Sequence, residues 1–265
     1  MTQAAVTPLL HSGERPGHGE GFAYDEARHL AAYRYARELA RGRDVLDAGC
    51  GEGFGTVLLA ETARHVTGID YSIDAVRTAA ARYVRPNLEF RRLDVYELPG
   101  LDLRCDLVTN FQVIEHLADP ARFLAAVRAA LRPGGVLMLT TPNRLTSVSE
   151  NPYHLREYIA DELLDLLRPL FARVDLYSMM GNDKVRAFDA ERARQVRRIL
   201  RLDPLGLRTL LPDRVVKYVF GRLAVLVRRR VADADRDSRS IAPSDFHVLE
   251  SVHPEALDLI ALCRP

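Results

Sequence analysis

Two groups of residues in this 265-residue chain could do chemistry. The first is the run Asp47-Ala48-Gly49-Cys50-Gly51-Glu52-Gly53, in which glycines alternate behind an acid. So tight a strand-to-helix turn demands positive φ, and a ligand can approach backbone only where no Cβ intervenes. A helix beginning near Phe54 would aim its N–H groups and positive dipole end at the same gap. A small, polar, partly anionic ligand is expected there. The second group is Glu115-His116, with His154 in a later loop. An imidazole titrates near neutral pH unless perturbed, which suits a proton acceptor. Gln112, Glu115 and His116 are spaced as i, i+3 and i+4, one helical turn.

Strands and helices must position these side chains. Val45-Leu46 reads as a short buried strand. A second, His65 to Asp70, ends in a carboxylate that can take both hydroxyls of a ribose. A third, from Leu88 to Val95, carries Asp94; a fourth, Cys105 to Asn110, leads into Glu115-His116; a fifth runs from Val136 to Thr141. Helices are expected at about 25–41, 54–64, 72–84, 119–131 and 157–168, the fourth started by Asp119-Pro120. Alternation at this interval means parallel strands with right-handed crossovers, which gathers Asp47, Asp70, Asp94 and Asn110 at one sheet edge. Phe171 to Tyr177 and Ala256 to Cys263 read as two further strands.

Asp47-x-Gly49-x-Gly51-x-Gly53, the acids Asp70 and Asp94, the Glu115-His116 pair and Leu131-Arg132-Pro133-Gly134-Gly135 together resemble the class I S-adenosylmethionine (SAM) methyltransferases of the small-molecule and saccharide O-methyltransferase type, over roughly residues 43–142. A dinucleotide fingerprint would space its glycines 1, 3, 6, and the sixth position from Gly49 is Phe54. The resemblance implies an α/β fold: a doubly wound seven-stranded sheet of order 3-2-1-4-5-7-6, its last strand antiparallel, with a helical insertion before that strand. It implies SAM bound by Asp47, Gly49, Gly51, Gly53, Asp70, Tyr71, Asp94, Val95, Asn110 and Gln112, with Asp94 at the adenine amino group. Methyl transfer to a sugar or saccharide hydroxyl follows as the favoured activity, with His116 as general base and Glu115 and His154 beside it. Small-RNA 3′-end methyltransferases hold a divalent metal with a Glu-x-x-Glu-His turn and a later His. By that likeness Glu115, His116 and His154 could hold Mg²⁺ or another divalent ion, although Gln112 stands where a glutamate is needed and an amide is a poorer ligand. Ubiquinone-pathway O-methyltransferases show a similar Glu-His. Three alternatives stay open: N-methyl transfer, quinone-type O-methylation at a membrane, and a SAM-binding regulatory protein without turnover.

Composition sets limits. Hydrophobic residues make up 48% and charged residues 28%, ordinary for a globule, and a formal net charge of +1 gives no global attraction to nucleic acid or membrane. Three cysteines without metal-type spacing, no membrane-length apolar run and no signal-peptide pattern lead to an expected cytoplasmic location. The chain divides into a lead-in or lid (1–24), a SAM-binding core (25–182), a basic helical insertion (183–245) and a final strand (246–265). Ser12-Gly13-Glu14-Arg15-Pro16 is similar to a lead-in of sugar methyltransferases, which makes Arg15, Tyr24 and His29 candidate lid contacts. In the insertion, Lys and Arg outnumber Asp and Glu, and its clearest helices are 192–200 and 215–230. It suits a lid or homodimer face, a membrane-surface helix, or an RNA-binding face; basic residues interleaved with aliphatics favour the first two.

Overall fold

The computed structural model describes residues 23–100, 103–147, 153–200 and 241–265. Helix α1 (Ala23–Ala40) buries Tyr24, Ala27, Ala31, Ala32, Tyr33, Ala36 and Ala40; most recur three or four residues apart, and the consecutive Ala31, Ala32 and Tyr33 widen the buried face. Strand β1 (Asp44–Ala48) lies at the centre of the sheet, and β2 (His65–Asp70), β3 (Leu88–Arg92), β4 (Cys105–Phe111) and β5 (Leu131–Pro142) run parallel to it. Helices α2 (Thr56–Leu59), α3 (Ile73–Arg82), α4 (Pro120–Ala130) and α5 (Ala160–Leu167) fill the connections. Strand β6 (Arg173–Gly181) leads into α6 (Asp183–Leu200), followed at the chain's end by β7 (Phe246–Leu249) and β8 (Asp258–Arg264).

The sheet order is β3-β2-β1-β4-β5-β8-β6-β7, with β8 antiparallel to both β5 and β6. The expected seven-strand order is therefore present, and an eighth strand extends it: β7 pairs antiparallel with β6 from Ser178↔Leu249 to Gly181↔Phe246. A four-residue strand gives a weak sequence signal, and only pairing with the longer β6 holds it straight. Two apolar layers flank the sheet. One gathers Phe123, Leu124 and Val127 of α4 with Leu163 and Leu167 of α5; the other gathers α1 with Leu59, Met138 and Ile260.

The helix expected over 54–64 shrinks to Thr56–Leu59, because the Asn87 amide donates to the carbonyls of Ala60 (2.9 Å) and Ala63 (3.1 Å) and takes them out of a helical ladder. The strand expected at 171–177 sits at Arg173–Gly181 instead. Of the insertion, α6 starts at Asp183 and packs on α1: the Tyr24 ring stacks on Phe188 at 4.8 Å, and its hydroxyl donates to Asp189 at 2.7 Å. The helix expected at 215–230, and Arg15, lie outside the described residues. Among the described residues no helix is long and apolar enough to cross a membrane.

Candidate functional site

The carboxyl ends of the parallel strands bring the glycine loop and the Glu-His pair to one edge. At Gly49, φ is +88° and an added Cβ would lie 2.4 Å from a Val113 methyl, so both backbone and space require glycine. The loop is tied down from β2. Gly49 and Cys50 donate their N–H groups to the Ile69 carbonyl at 2.8 and 2.9 Å, and Gly51 donates to Asp70 Oδ2 at 3.0 Å. The other Asp70 oxygen accepts the Ser72 N–H at 2.8 Å. Asp70 thus braces the loop at the position where a ribose is expected. A four-residue α2 supplies little macrodipole, so ligand attraction falls to the loop N–H groups and the neighbouring side chains.

Asp47 differs from its expected role as a ligand contact. Fully buried, it accepts the hydroxyls of Thr56 (2.7 Å), Thr109 (2.7 Å) and Tyr33 (3.1 Å). Burial raises its carboxyl pKa, and the three hydroxyls oppose that shift. The geometry makes Asp47 the anchor that ties α1, β1, α2 and β4 beneath the loop. Thr56 and Thr109 went unrecognised in sequence, since buried hydroxyls carry no spacing signature.

The other expected cofactor contacts spread along the same edge. Asp94 is half-buried and its Oδ1 accepts the Tyr96 N–H at 3.0 Å, Val95 is buried beside it, and Tyr71 is 66% exposed. Asn110 is fully buried: its Nδ2 donates to the Ala48 carbonyl at 2.8 Å, and its Oδ1 has no partner. Gln112 does not share a helical turn with Glu115 and His116. Its φ is +56°, and its Nε2 donates to Thr140 Oγ1 at 3.3 Å, which carries the amide towards β5.

Glu115, His116 and His154 do converge, each offering one ligand-type atom within 4.8 Å of the others. The two imidazoles meet edge to face at 4.8 Å. His116 Nδ1 lies 3.0 Å from the Tyr153 carbonyl, which can only accept, so that nitrogen carries the proton and Nε2 is the basic one. His154 Nδ1 lies 2.6 Å from Glu157 Oε1. Glu115 is buried; its Oε2 accepts the Thr141 hydroxyl at 3.1 Å, and Oε1 has no hydrogen-bond partner. Burial pushes its carboxyl up to about 7, poised between its two protonation states near neutral pH.

Two candidate lid contacts have other partners. Tyr24 is buried against α6, and His29 Nδ1 donates to the Asp25 carbonyl at 2.7 Å, burial lowering the pKa of its ring.

Comparison with known proteins agrees with this architecture. Residues 46–139 match a methyltransferase domain. A Mycolicibacterium smegmatis protein named "probable S-adenosylmethionine-dependent methyltransferase" is 45% identical over 171 residues, 62% of this chain and 65% of its own. A Mycobacterium tuberculosis protein so named is 42% identical over 169 residues, 62% of this chain and 61% of its own. The chain therefore matches less than two thirds of the length of either relative. Two solved structures share the fold: a SAM-dependent methyltransferase from Archaeoglobus fulgidus (TM-score 0.54, 17% identity, 90% of this chain and 94% of that one) and the [4+2]-cyclase SpnF (TM-score 0.54, 22% identity, 94% and 86%).

Proposed function

For a chain that carries a class I SAM-dependent methyltransferase domain, we propose that the edge built by Gly49–Gly53, Asp70 and Glu115-His116 transfers a methyl group to a hydroxyl of a small molecule, a sugar or saccharide in particular. The observation that carries this reading is the convergence of Glu115, His116 and His154 within 4.8 Å, at the strand edge that also holds the glycine loop. Bound SAM supplies a methyl carbon made electrophilic by its sulfonium. Gly49, Gly51, Gly53 and Asp70 hold it, with Asp94, Val95 and Tyr71 beside the adenosine and Asn110 and Gln112 at the methyl end.

The chain's own work is alignment and proton removal. The acceptor oxygen forms a bond to the methyl carbon while the carbon–sulfur bond breaks and leaves its electron pair on sulfur. The hydroxyl proton passes to His116 Nε2, the nitrogen opposite the one bonded to Tyr153. The Tyr153 carbonyl holds the imidazole through Nδ1, and His154, oriented by Glu157, packs edge to face against it. Replacing His116 with Ala tests the assignment: methyl transfer should fall about 10²- to 10⁴-fold, with affinity for demethylated cofactor kept within about twofold. Equal losses in both would make His116 structural.

A divalent ion at the same cluster is a second reading, favoured by the donor set itself. Both imidazoles are anchored through Nδ1 to an oxygen, as second-shell partners of metal-bound histidines usually are. The unpartnered Glu115 oxygen fits a ligand position. Two nitrogens and one carboxylate suit Mn²⁺, Fe²⁺ or Zn²⁺ better than Mg²⁺. Chelator treatment followed by single-metal add-back separates the two readings; activity that ignores both steps removes the ion.

A further inference from the structure

Helix α1 presents two rings to the glycine loop from successive turns. The Tyr33 ring meets Phe54, which directly follows Gly53, at 6.1 Å, and the His29 ring meets the same Phe54 edge to face at 6.3 Å. Tyr33 has no capacity left for a ligand: a Cβ at Gly55 would run into its ring, and its hydroxyl is given to Asp47. His29 differs. Its Nδ1 lies 2.7 Å from the Asp25 carbonyl, which can only accept, so Nδ1 carries the proton and Nε2 the lone pair. Nε2 has no hydrogen-bond partner among the described residues. Burial, and after it the Arg28 charge, lowers the pKa of the ring and so keeps it neutral and able to accept.

Other acceptors in and behind the loop are engaged. The carbonyls of Ala48, Cys50 and Gly53 take the Asn110 amide (2.8 Å), the Gly53 N–H (3.0 Å) and the Val57 N–H (3.1 Å). Asp47 accepts three hydroxyls, and each Asp70 oxygen accepts a backbone N–H. SAM ends in an amino acid whose ammonium brings three N–H donors. We propose that His29 is a cofactor-binding residue whose Nε2 accepts one of those hydrogens, with Phe54 packing the imidazole against the loop. A neutral imidazole suits a cationic donor, whereas a protonated ring would repel it. This role deepens the cofactor assignment of the proposed function and rests on it.

The full chain is titrated by calorimetry with demethylated SAM and with its desamino analogue 4-(5′-adenosylthio)butanoate, which keeps the carboxylate and lacks only the ammonium. Wild type should bind the desamino ligand at least about tenfold more weakly, the size of a hydrogen bond to a charged group. His29→Phe keeps an aromatic ring against Phe54; it should weaken demethylated SAM by a similar factor and leave the desamino ligand within about twofold, so that the two affinities converge. His29→Gln offers an amide oxygen and should restore part of the preference, and it reads the same role if His29→Phe does not fold. Equal weakening of both ligands in the variants, or the full wild-type preference kept in both, would overturn this role and leave His29 as a packing residue. Wild type that binds neither ligand would count against the cofactor assignment itself, and the role of His29 would fall with it.

Discussion

At the scale of single residues, the site turns on how burial treats two acids differently. Asp47 is surrounded by three hydroxyl donors and serves the loop, whereas Glu115 has one hydroxyl donor and an unpartnered oxygen at the reacting edge. Because the folded-state pKa of Glu115 is raised from 4.5 to about 7, the folded protein holds this proton more tightly than the unfolded chain. Its contribution is therefore most favourable below the unfolded value and is lost as pH rises through the folded one. From about pH 5 to about pH 8 the wild type should lose roughly 2–3 kcal/mol of stability from this group. Glu115→Gln should flatten that slope, read by denaturant unfolding across the range; an unchanged slope would show that Glu115 is not the group responsible. Glu115-His116 and His154 were legible in sequence by type and position. Thr56 and Thr109 were not, because they meet Asp47 only in three dimensions and lie far apart along the chain.

At the scale of elements, the glycine loop was readable because its conformation restricts sequence: positive φ at Gly49, Gly51 and Gly53 leaves an alternation visible in the chain. Gly49→Ala should both strain that turn and drive a methyl into Val113, weakening cofactor binding by at least about tenfold; binding as tight as wild type would mean that the loop yields. The short α2 and the extra β7 were not readable, since one is ended by a side chain from another loop and the other exists only by pairing. The root of the insertion rests on α1 through Tyr24, Phe188 and Asp189. Asp189→Ala leaves the buried Tyr24 hydroxyl without its acceptor and should cost about 1 kcal/mol. Amide hydrogen exchange should show the change as faster exchange at the start of α6; unchanged protection there would place its hold elsewhere.

At the scale of the whole molecule, one parallel sheet does the positioning: five strand ends carry a glycine loop and a set of acids, and an antiparallel return strand, β8, pairs beside β5. The sequence-level expectation of this architecture was sound from β1 to β5, where strand and helix alternate at regular intervals. It was weaker beyond β6, where a long basic segment interrupts the pattern and the closing strands pair across it. The SpnF likeness shows how little fold alone says about the reaction, so the chemistry must be judged at the site. Calorimetric titration of demethylated SAM into the wild-type chain and into Gly49→Ala tests the central claim most directly. The account predicts saturable binding of one ligand per wild-type chain and marked weakening in the variant; no heat with the wild type, or equal affinity in both, would contradict it.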